Sequence, residues 1–299
     1  MLRSLQEVLI AARAKGGSKA IAVAVAEDIE VLSAIKDATE LGLATAILVG
    51  DAGKIAQIAA AVGLDLQGVE VINEVHPVFA ARKAVELVSS GRAQILMKGL
   101  VSTADIMRAV LDKEIGLRTG RVISHVAVIE PRGYGRLLLM TDGGMVIAPD
   151  LKQKAQMIEN AVGVARKLGN ECPKVAVITA FEQVNPDMPA TVDAALLAKM
   201  AERGQIKNCI VDGPIALDAA ISKEAAAHKG MQSPVAGEAD VLLVPVIEAG
   251  NVMYKTLVYL GGAEVAGVIA GAAAPIILTS RSDTHQAKLY SIATAVLMS

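Results

Sequence analysis

The chain has 299 residues and a formal net charge of −2, with 53% hydrophobic and 20% charged residues. That supplies apolar material for large cores and excludes a disordered polar chain. The near-neutral balance also excludes a broad phosphate-neutralising surface for nucleic acid.

With no Trp and only Phe79 and Phe181, the chain lacks stacking platforms for single-stranded nucleic acid. Cys172 and Cys209 form no CxxC pair, which fits a reducing compartment, and each is expected to pack as a buried side chain. No run reaches the ~18 apolar residues of a membrane span. The longest candidate, 265–278, is broken by glycines and Pro275. The first residues carry Arg3 and Glu7 on a mixed helical pattern without a signal-peptide core. A soluble cytoplasmic protein without a membrane partner is expected.

In chain order, apolar runs of strand type alternate with helical patterns. Residues 20–26 read as a buried strand, and Asp28 opens a helix with Ile29, Leu32, Ile35 and Leu41 near helical spacing. Residues 46–49 form the next strand, followed by a helix capped by Asp51. A strand at 69–72 leads to a helix that starts at His76-Pro77, and 95–97 is a strand running into Lys98-Gly99. This alternation predicts a parallel sheet covered by helices.

The pattern changes after Thr119. Residues 125–129 and 137–140 read as two strands joined by the turn-rich 131–135. A helix over 151–168 follows, then a strand at 175–179, a helix at 192–202, strands at 210–212 and 241–244, and a helix at 252–260. The chain ends with strands at 265–269 and 276–278 and a helix from about Asp283. Without a linker, the reading is two closely packed α/β domains: 1–124 with 272–299, and 125–271.

Four segments have the residue types for chemistry. In Leu278-Thr279-Ser280-Arg281-Ser282-Asp283, an apolar strand runs into hydroxyls, an arginine and a helix start that Ser282 or Asp283 can cap. Helix N-termini and arginine forks both favour phosphate. In 97–105, a strand ends in a glycine turn, Ser102 and Asp105 have capping-box-like spacing, and Arg108 follows on the helix. In 243–251, Gly250 permits a tight turn and Asn251 can cap the next helix. Met140-Thr141-Asp142-Gly143-Gly144 is a flexible strand-end turn. Singly, each also reads as an ordinary capped helix or loop. No HExxH, Walker A loop, GxGxxG after the first strand or GxSxG elbow is present.

As an ordered set, MKGLVSTADIMRAVL, LLLMTDGG with IAP, PATVDAALLAKM, VDGPIALDAAIS, GEADVLLVPVIEAGNVMYK and PIILTSRSD resemble the phosphate acetyl/butyryltransferase family, most closely its butyryltransferase branch. The resemblance runs from about Arg82 to the C-terminus. It implies two α/β domains like those of isocitrate and isopropylmalate dehydrogenases, with the active site in the cleft between them. It also implies acyl transfer between coenzyme A and inorganic phosphate, with butyryl or branched chains favoured. Coenzyme A is then a substrate, no prosthetic group or metal is needed, and the assembly is a homodimer or larger.

By the same resemblance, Ser280 and Arg281 match the family's active-site pair and Arg108 a cleft arginine, with Arg82 as a further arginine. Thr279, Ser282, Gly250 and Asn251 are expected around phosphate and coenzyme A. The acetyltransferase branch has a catalytic Asp several residues beyond the Ser-Arg pair, where this chain has Ala287 and Lys288. Asp283 is the nearest carboxylate and the candidate base. The rival readings are an acetyl-CoA enzyme of the same family, a dehydrogenase of the same fold lacking its metal-binding Asp cluster, and a non-catalytic coenzyme A-binding module.

Overall fold

The computed structural model describes all residues except Met1, Gly16, Ser18, Arg281 and Ser282. The first run comprises α1 (Leu5–Lys15), β1 (Ala20–Ala24), α2 (Ile29–Glu40), β2 (Thr45–Gly50), α3 (Ala52–Val62), β3 (Glu70–Asn73), α4 (Pro77–Ser89), β4 (Ile95–Lys98) and α5 (Thr103–Val110). Next come β5 (Ser124–Glu130), β6 (Leu138–Thr141), α6 (Leu151–Lys167), β7 (Lys174–Ile178), α7 (Pro189–Glu202), β8 (Ile210–Ile215), α8 (Leu217–Ile221), α9 (Lys223–His228), β9 (Val241–Leu243) and α10 (Ile247–Lys255). A wider π-type turn, Thr256–Leu260, prolongs α10. The chain closes with β10 (Glu264–Ala270), β11 (Ile276–Ile277) and α11 (His285–Met298).

Two compact units result: a terminal unit of Leu5–Arg121 with Ala266–Ser299, and a middle unit of Met1–Ser4 with Val122–Val265. In the terminal unit the strands run in the order β3-β2-β1-β4-β11-β10. All neighbours are parallel except β10 and β11. Strand order therefore reverses at β1, which has β2 on one side and β4 on the other. Because helices cover both faces, β1 is apolar along its length, and Ile21 to Ala24 are all buried.

Helix α11 packs against α1, α2 and β11. Its residues from Ala287 to Leu297 are buried throughout, as expected of a helix that is apolar nearly all round. Its one interior serine is satisfied: Ser291 Oγ donates to Ala287 O at 2.7 Å and accepts from Gly267 N at 2.9 Å.

In the middle unit the order is β5-β6-β9-β7-β8. The predicted hairpin is the antiparallel pair β5–β6, and the remaining pairs are parallel. Among the described residues, no helix is long and apolar enough to cross a membrane.

Asp28 and Asp51 cap α2 and α3 through backbone N–H groups three residues on, and His76-Pro77 opens α4. Several expectations are corrected. Thr284, rather than Ser282 or Asp283, caps α11. Helix α10 begins at Ile247, so Asn251 lies inside it and caps nothing. Residues 247–251 contain no apolar periodicity that marks the first turn. The short helices α8 and α9 were not read from sequence, because five or six residues cannot display a helical period. Cys172 is exposed rather than packed, whereas Cys209 is partly buried, and burial pushes its thiol up to about 11.

Ile292 is fully buried in α11. Replacing Ile292 with Ala should cost about 3 kcal/mol, through lost transfer energy and the cavity left behind. Urea unfolding of both proteins checks this, and a change under ~1 kcal/mol would contradict the packing described.

Candidate active site

In the terminal unit, β1, β4 and β11 are parallel neighbours, so their carboxyl ends share one rim. Ligands of open α/β sheets bind at such rims, where the strand order reverses. The turn after β11 brings together Thr279, Ser280 and Asp283. Thr279 is buried and Ser280 is exposed. Asp283 shapes the turn: its Oδ2 accepts from Ser280 N at 2.7 Å, and its N donates to Ser280 O at 3.2 Å. The buried Lys288 donates to Asp283 O at 2.5 Å. One residue on from the Thr284 cap, His285 N donates to Glu30 Oε2 at 2.6 Å, tying this turn to the start of α2. Arg281 and Ser282, named from sequence, lie outside the described residues.

The turn after β4 is held against the end of β1. Gly99 N donates to Ala24 O at 2.8 Å, and Leu100 N donates to Val25 O at 2.7 Å. A Cβ on Gly99 would stand 2.1 Å from Val25 O, so only glycine fits. Ser102 caps α5 as read from sequence, and its hydroxyl also donates to Asp105 Oδ2 at 2.6 Å.

Arg108 does not reach away from its helix; it donates to Asp105 Oδ1 at 2.6 Å, with its side chain 69% exposed. The Ser102 hydroxyl, and next Arg108, hold the Asp105 carboxyl below its usual range. Arg82, on α4, donates to Asp112 Oδ2 at 3.0 Å and lies 3.5 Å from Glu86 Oε1. Asp112 is likewise lowered, chiefly by the backbone N–H groups of Glu114 and Ile115 and then by Arg82. Both arginines are thus anchored by carboxylates on or just beyond α5.

Gly250 and Asn251 belong to the middle unit, where they meet Asp142 of the strand-end turn 140–144, a segment named from sequence in which the carboxylate itself was given no role. Asp142, just beyond β6, is 1% exposed. Its carboxylate accepts from His125 N at 2.8 Å, Gly144 N at 2.6 Å, Met145 N at 2.8 Å and Val146 N at 3.3 Å. The Gly143-Gly144 turn is thereby wrapped around one side chain. A Cβ on Gly250 would stand 2.5 Å from Asp142 O and 2.8 Å from Gly143 Cα. Its role is therefore a close helix–turn approach, not a tight turn. Asn251 Nδ2 donates to Gly143 O at 3.2 Å, and the His125 and Tyr254 rings pack edge to face at 6.4 Å. The available signal was an Asp followed by two glycines, which marks an Asx-type turn.

A hollow of about 470 Å³ in the middle unit is lined by Tyr134, Arg136, Lys174, Lys223, Glu238 and Asp240, among others. It lies at the amino ends of β6, β7 and β9, opposite Asp142. Its charges close on one another: Lys174 and Lys223 pair with Glu238, and Arg136 with Asp240. The two lysines pull the Glu238 carboxyl down to about 2.

Helix-covered, mainly parallel strands with turns of hydroxyl, carboxylate and glycine at their carboxyl rims define an α/β ligand-binding fold of the dehydrogenase-like class. Residues 5–82 and 76–296 match the family model described as "Phosphate acetyl/butaryl transferase". The phosphate butyryltransferase of Clostridium acetobutylicum is 52% identical over 298 residues, covering 100% of this chain and 99% of that one. The phosphate acetyltransferase of Thermotoga maritima is 47% identical over 289 residues, covering 97% of each. A solved branched-chain phosphotransacylase from Enterococcus faecalis superposes with a TM-score of 0.84 at 35% identity, over 94% of this chain and 99% of that one. A 4-hydroxythreonine-4-phosphate dehydrogenase from Burkholderia phymatum, 14% identical with a TM-score of 0.55 over 94% of this chain and 97% of that one, shares the fold alone. The chain belongs to the phosphate acetyl/butyryltransferase family.

Replacing Gly250 with Ala should displace the Asp142–Gly143 turn and cost about 1–3 kcal/mol, the usual range for overpacking. Thermal unfolding beside a control Ala substitution at exposed Lys199 checks this; equal melting temperatures would show that the contact yields freely.

Proposed function

We propose that this chain moves a butyryl or branched short-chain acyl group between coenzyme A and inorganic phosphate. The observation that carries the reading is 52% identity, end to end, to a phosphate butyryltransferase. The branched-chain phosphotransacylase neighbour supports the same acyl range. In the forward direction a phosphate oxygen attacks the thioester carbonyl carbon, a tetrahedral oxyanion forms, and the carbon–sulfur bond breaks. The thiolate leaves and acyl phosphate results.

Ser280, exposed on its turn, donates a hydrogen bond to the developing oxyanion or the departing sulfur. Such a donor contributes about 3 kcal/mol to lowering the barrier. Arg281, with Arg108 and Arg82, holds phosphate. Thr279, Ser282, Gly250 and Asn251 complete the binding of phosphate and coenzyme A. Asp283 is the candidate base named from sequence; the hydrogen bond from Ser280 N supports a share for it in orienting Ser280. Direct transfer is favoured over an acyl-serine, because Ser280 has no histidine placed in sequence to activate it.

The proposed setting is the cytoplasm and the proposed assembly a homodimer. Val252, Tyr259 and Leu260, exposed by 62–85% on α10 and its extension, support self-association. Sedimentation should give twice the 30.9 kDa of one chain. A Leu260→Asp protein of unchanged mass would move the interface elsewhere.

Phosphate-dependent release of coenzyme A should be faster from butyryl-CoA or a branched acyl-CoA than from acetyl-CoA. Acetyl preference would keep the reaction and change the chain length; no release from any of them would remove the function. Ser280→Ala should lower kcat about 100-fold or more with the fold intact. Arg281→Ala should mainly raise the KM for phosphate. Near-unchanged kinetics in both variants would refute this site.

A further inference from the structure

The carboxyl end of β1 holds a feature that the roles above do not use. Val25 sits at φ +57, a conformation that a β-branched residue adopts only when its surroundings impose it. Hydrogen bonds from Leu100 N to Val25 O and from Ala26 N to Val49 O fix the backbone on both sides. The turn thus formed carries Glu27. Its Oε2 is shut from solvent and has no hydrogen-bond partner among the described residues. A Cβ on Gly50, at the end of β2, would stand 2.0 Å from that same oxygen. The glycine therefore leaves room for the carboxylate. Capping of α2 falls to Asp28, which accepts from Val31 N, so Glu27 is not needed for it.

Buried carboxylate oxygens ordinarily have donors, and one without a donor calls for a reason. Here the location supplies it. Glu27 lies where the strand order reverses, and the Glu30–His285 contact joins its turn to the turn bearing Ser280. Among the described residues, the neighbouring turns and helix starts carry Lys98, Asp28, Glu30, Asp51, Lys54, Asp105, Asp283, His285 and Lys288 as their charged or titratable groups. An ionised carboxylate only accepts hydrogen bonds, so the partner it lacks is a donor. Of the reacting groups, phosphate as an anion is repelled by it, whereas a thiol offers S–H.

We propose that Glu27 is the group that takes the proton from the coenzyme A thiol. The assignment rests on the acyl-CoA:phosphate reading. In the direction that consumes acyl phosphate, the S–H bond breaks and its proton passes to the Glu27 carboxylate. The thiolate pair then forms the new carbon–sulfur bond, the carbon–oxygen bond to phosphate breaks, and phosphate leaves with that electron pair. Glu27 afterwards passes its proton to phosphate or water. In the opposite direction a protonated Glu27 returns the proton to the departing thiolate.

The test compares wild type, Glu27→Gln, Glu27→Asp and Gly50→Ala with butyryl phosphate and coenzyme A, from about pH 6 to about pH 9, either side of the ≈ 8.5 of a free thiol. General-base removal costs about 10²–10⁴-fold. Glu27→Gln should lose at least about 100-fold near pH 7, and the deficit should shrink toward pH 9 as the thiol ionises unaided. Its melting temperature should be unchanged or higher, since Oε2 has no donor to lose among the described residues.

Glu27→Asp should recover part of the rate. Gly50→Ala, which keeps the carboxylate but displaces it, should show a smaller deficit with the same pH trend. A deficit equal at all pH values, or none, overturns the role. If Glu27→Gln does not fold, the same pH trend must appear in Gly50→Ala or the assignment fails.

Thiolate ultraviolet absorbance of bound coenzyme A gives a readout without turnover. Its titration should shift to higher pH in Glu27→Gln, and coincident curves overturn the role. A wild type that binds coenzyme A but never releases it in a phosphate-dependent way sinks the functional reading. An active wild type with coincident titrations sinks Glu27 alone.

Discussion

Close backbone approach at the carboxyl ends of the strands is the constraint on which both candidate ligand rims depend. In the terminal unit, Gly99 lies so near Val25 O that no side chain fits, and Gly50 makes the same allowance for Glu27. In the middle unit, Gly250 does so for Asp142 and Gly143. Such contacts require a neighbour without a Cβ, and they bring turn backbone, rather than bulky side chains, to the rim. A rim built of N–H and C=O groups suits a ligand whose recognition is mainly polar. The apolar strands behind it keep the turns from sliding, because interiors packed at crystal-like density do not deform by degrees.

Electrostatics within this frame divide into committed and exchangeable pairs. Arg82 and Arg108 each hold a carboxylate, but their side chains are 43% and 69% exposed. Exposed ion pairs are weak, so exchanging Asp105 or Asp112 for a ligand oxygen would cost little. Meanwhile the pairs keep each guanidinium near one place, which reduces the ordering needed on binding. The hollow at the amino ends of the middle strands has the opposite character. Glu238 is gripped by two lysines, and Arg136 also donates to Tyr134 Oη and to two backbone carbonyls. A ligand there would have to break several hydrogen bonds to gain any.

The sequence displayed the alternation of strands and helices, because parallel strands buried on both faces are continuous apolar runs flanked by Asp caps. Asp28, Asp51 and Ser102 were legible as caps because their carboxylate or hydroxyl acts three residues away. The start of α10 was not legible: Val246 makes no side-chain cap, so the chain carries no mark there. Of the candidate site, the Ser280 turn was readable, since strand, hydroxyls and arginine adjoin in the chain. The turn bearing Asp142 was readable but the role of its carboxylate was not, and Glu27 was not readable. Their importance comes from what folding puts around them: four backbone N–H groups for Asp142, and a glycine from the next strand for Glu27. The environment of Glu27 leaves no local pattern.

The same comparison separates carboxylates that hold structure from one suited to move a proton. A carboxylate whose lone pairs are committed to fixed donors must surrender those bonds when it is protonated, and this lowers its proton affinity. Asp142 is bound to four amides, Asp105 to a hydroxyl and a guanidinium, and Glu238 to two ammonium groups. Asp105 and Glu238 are good anchors and for that reason poor bases. Asp283 holds Ser280 N through Oδ2. Glu27 has a buried oxygen with no hydrogen-bond partner among the described residues. Folding around it removes water while the described residues supply no donor, which is a cost unless a substrate brings one. The arrangement is favourable for a group that must gain and lose a proton in each catalytic cycle, since no hydrogen bond from the described residues to that oxygen has to break when the proton arrives.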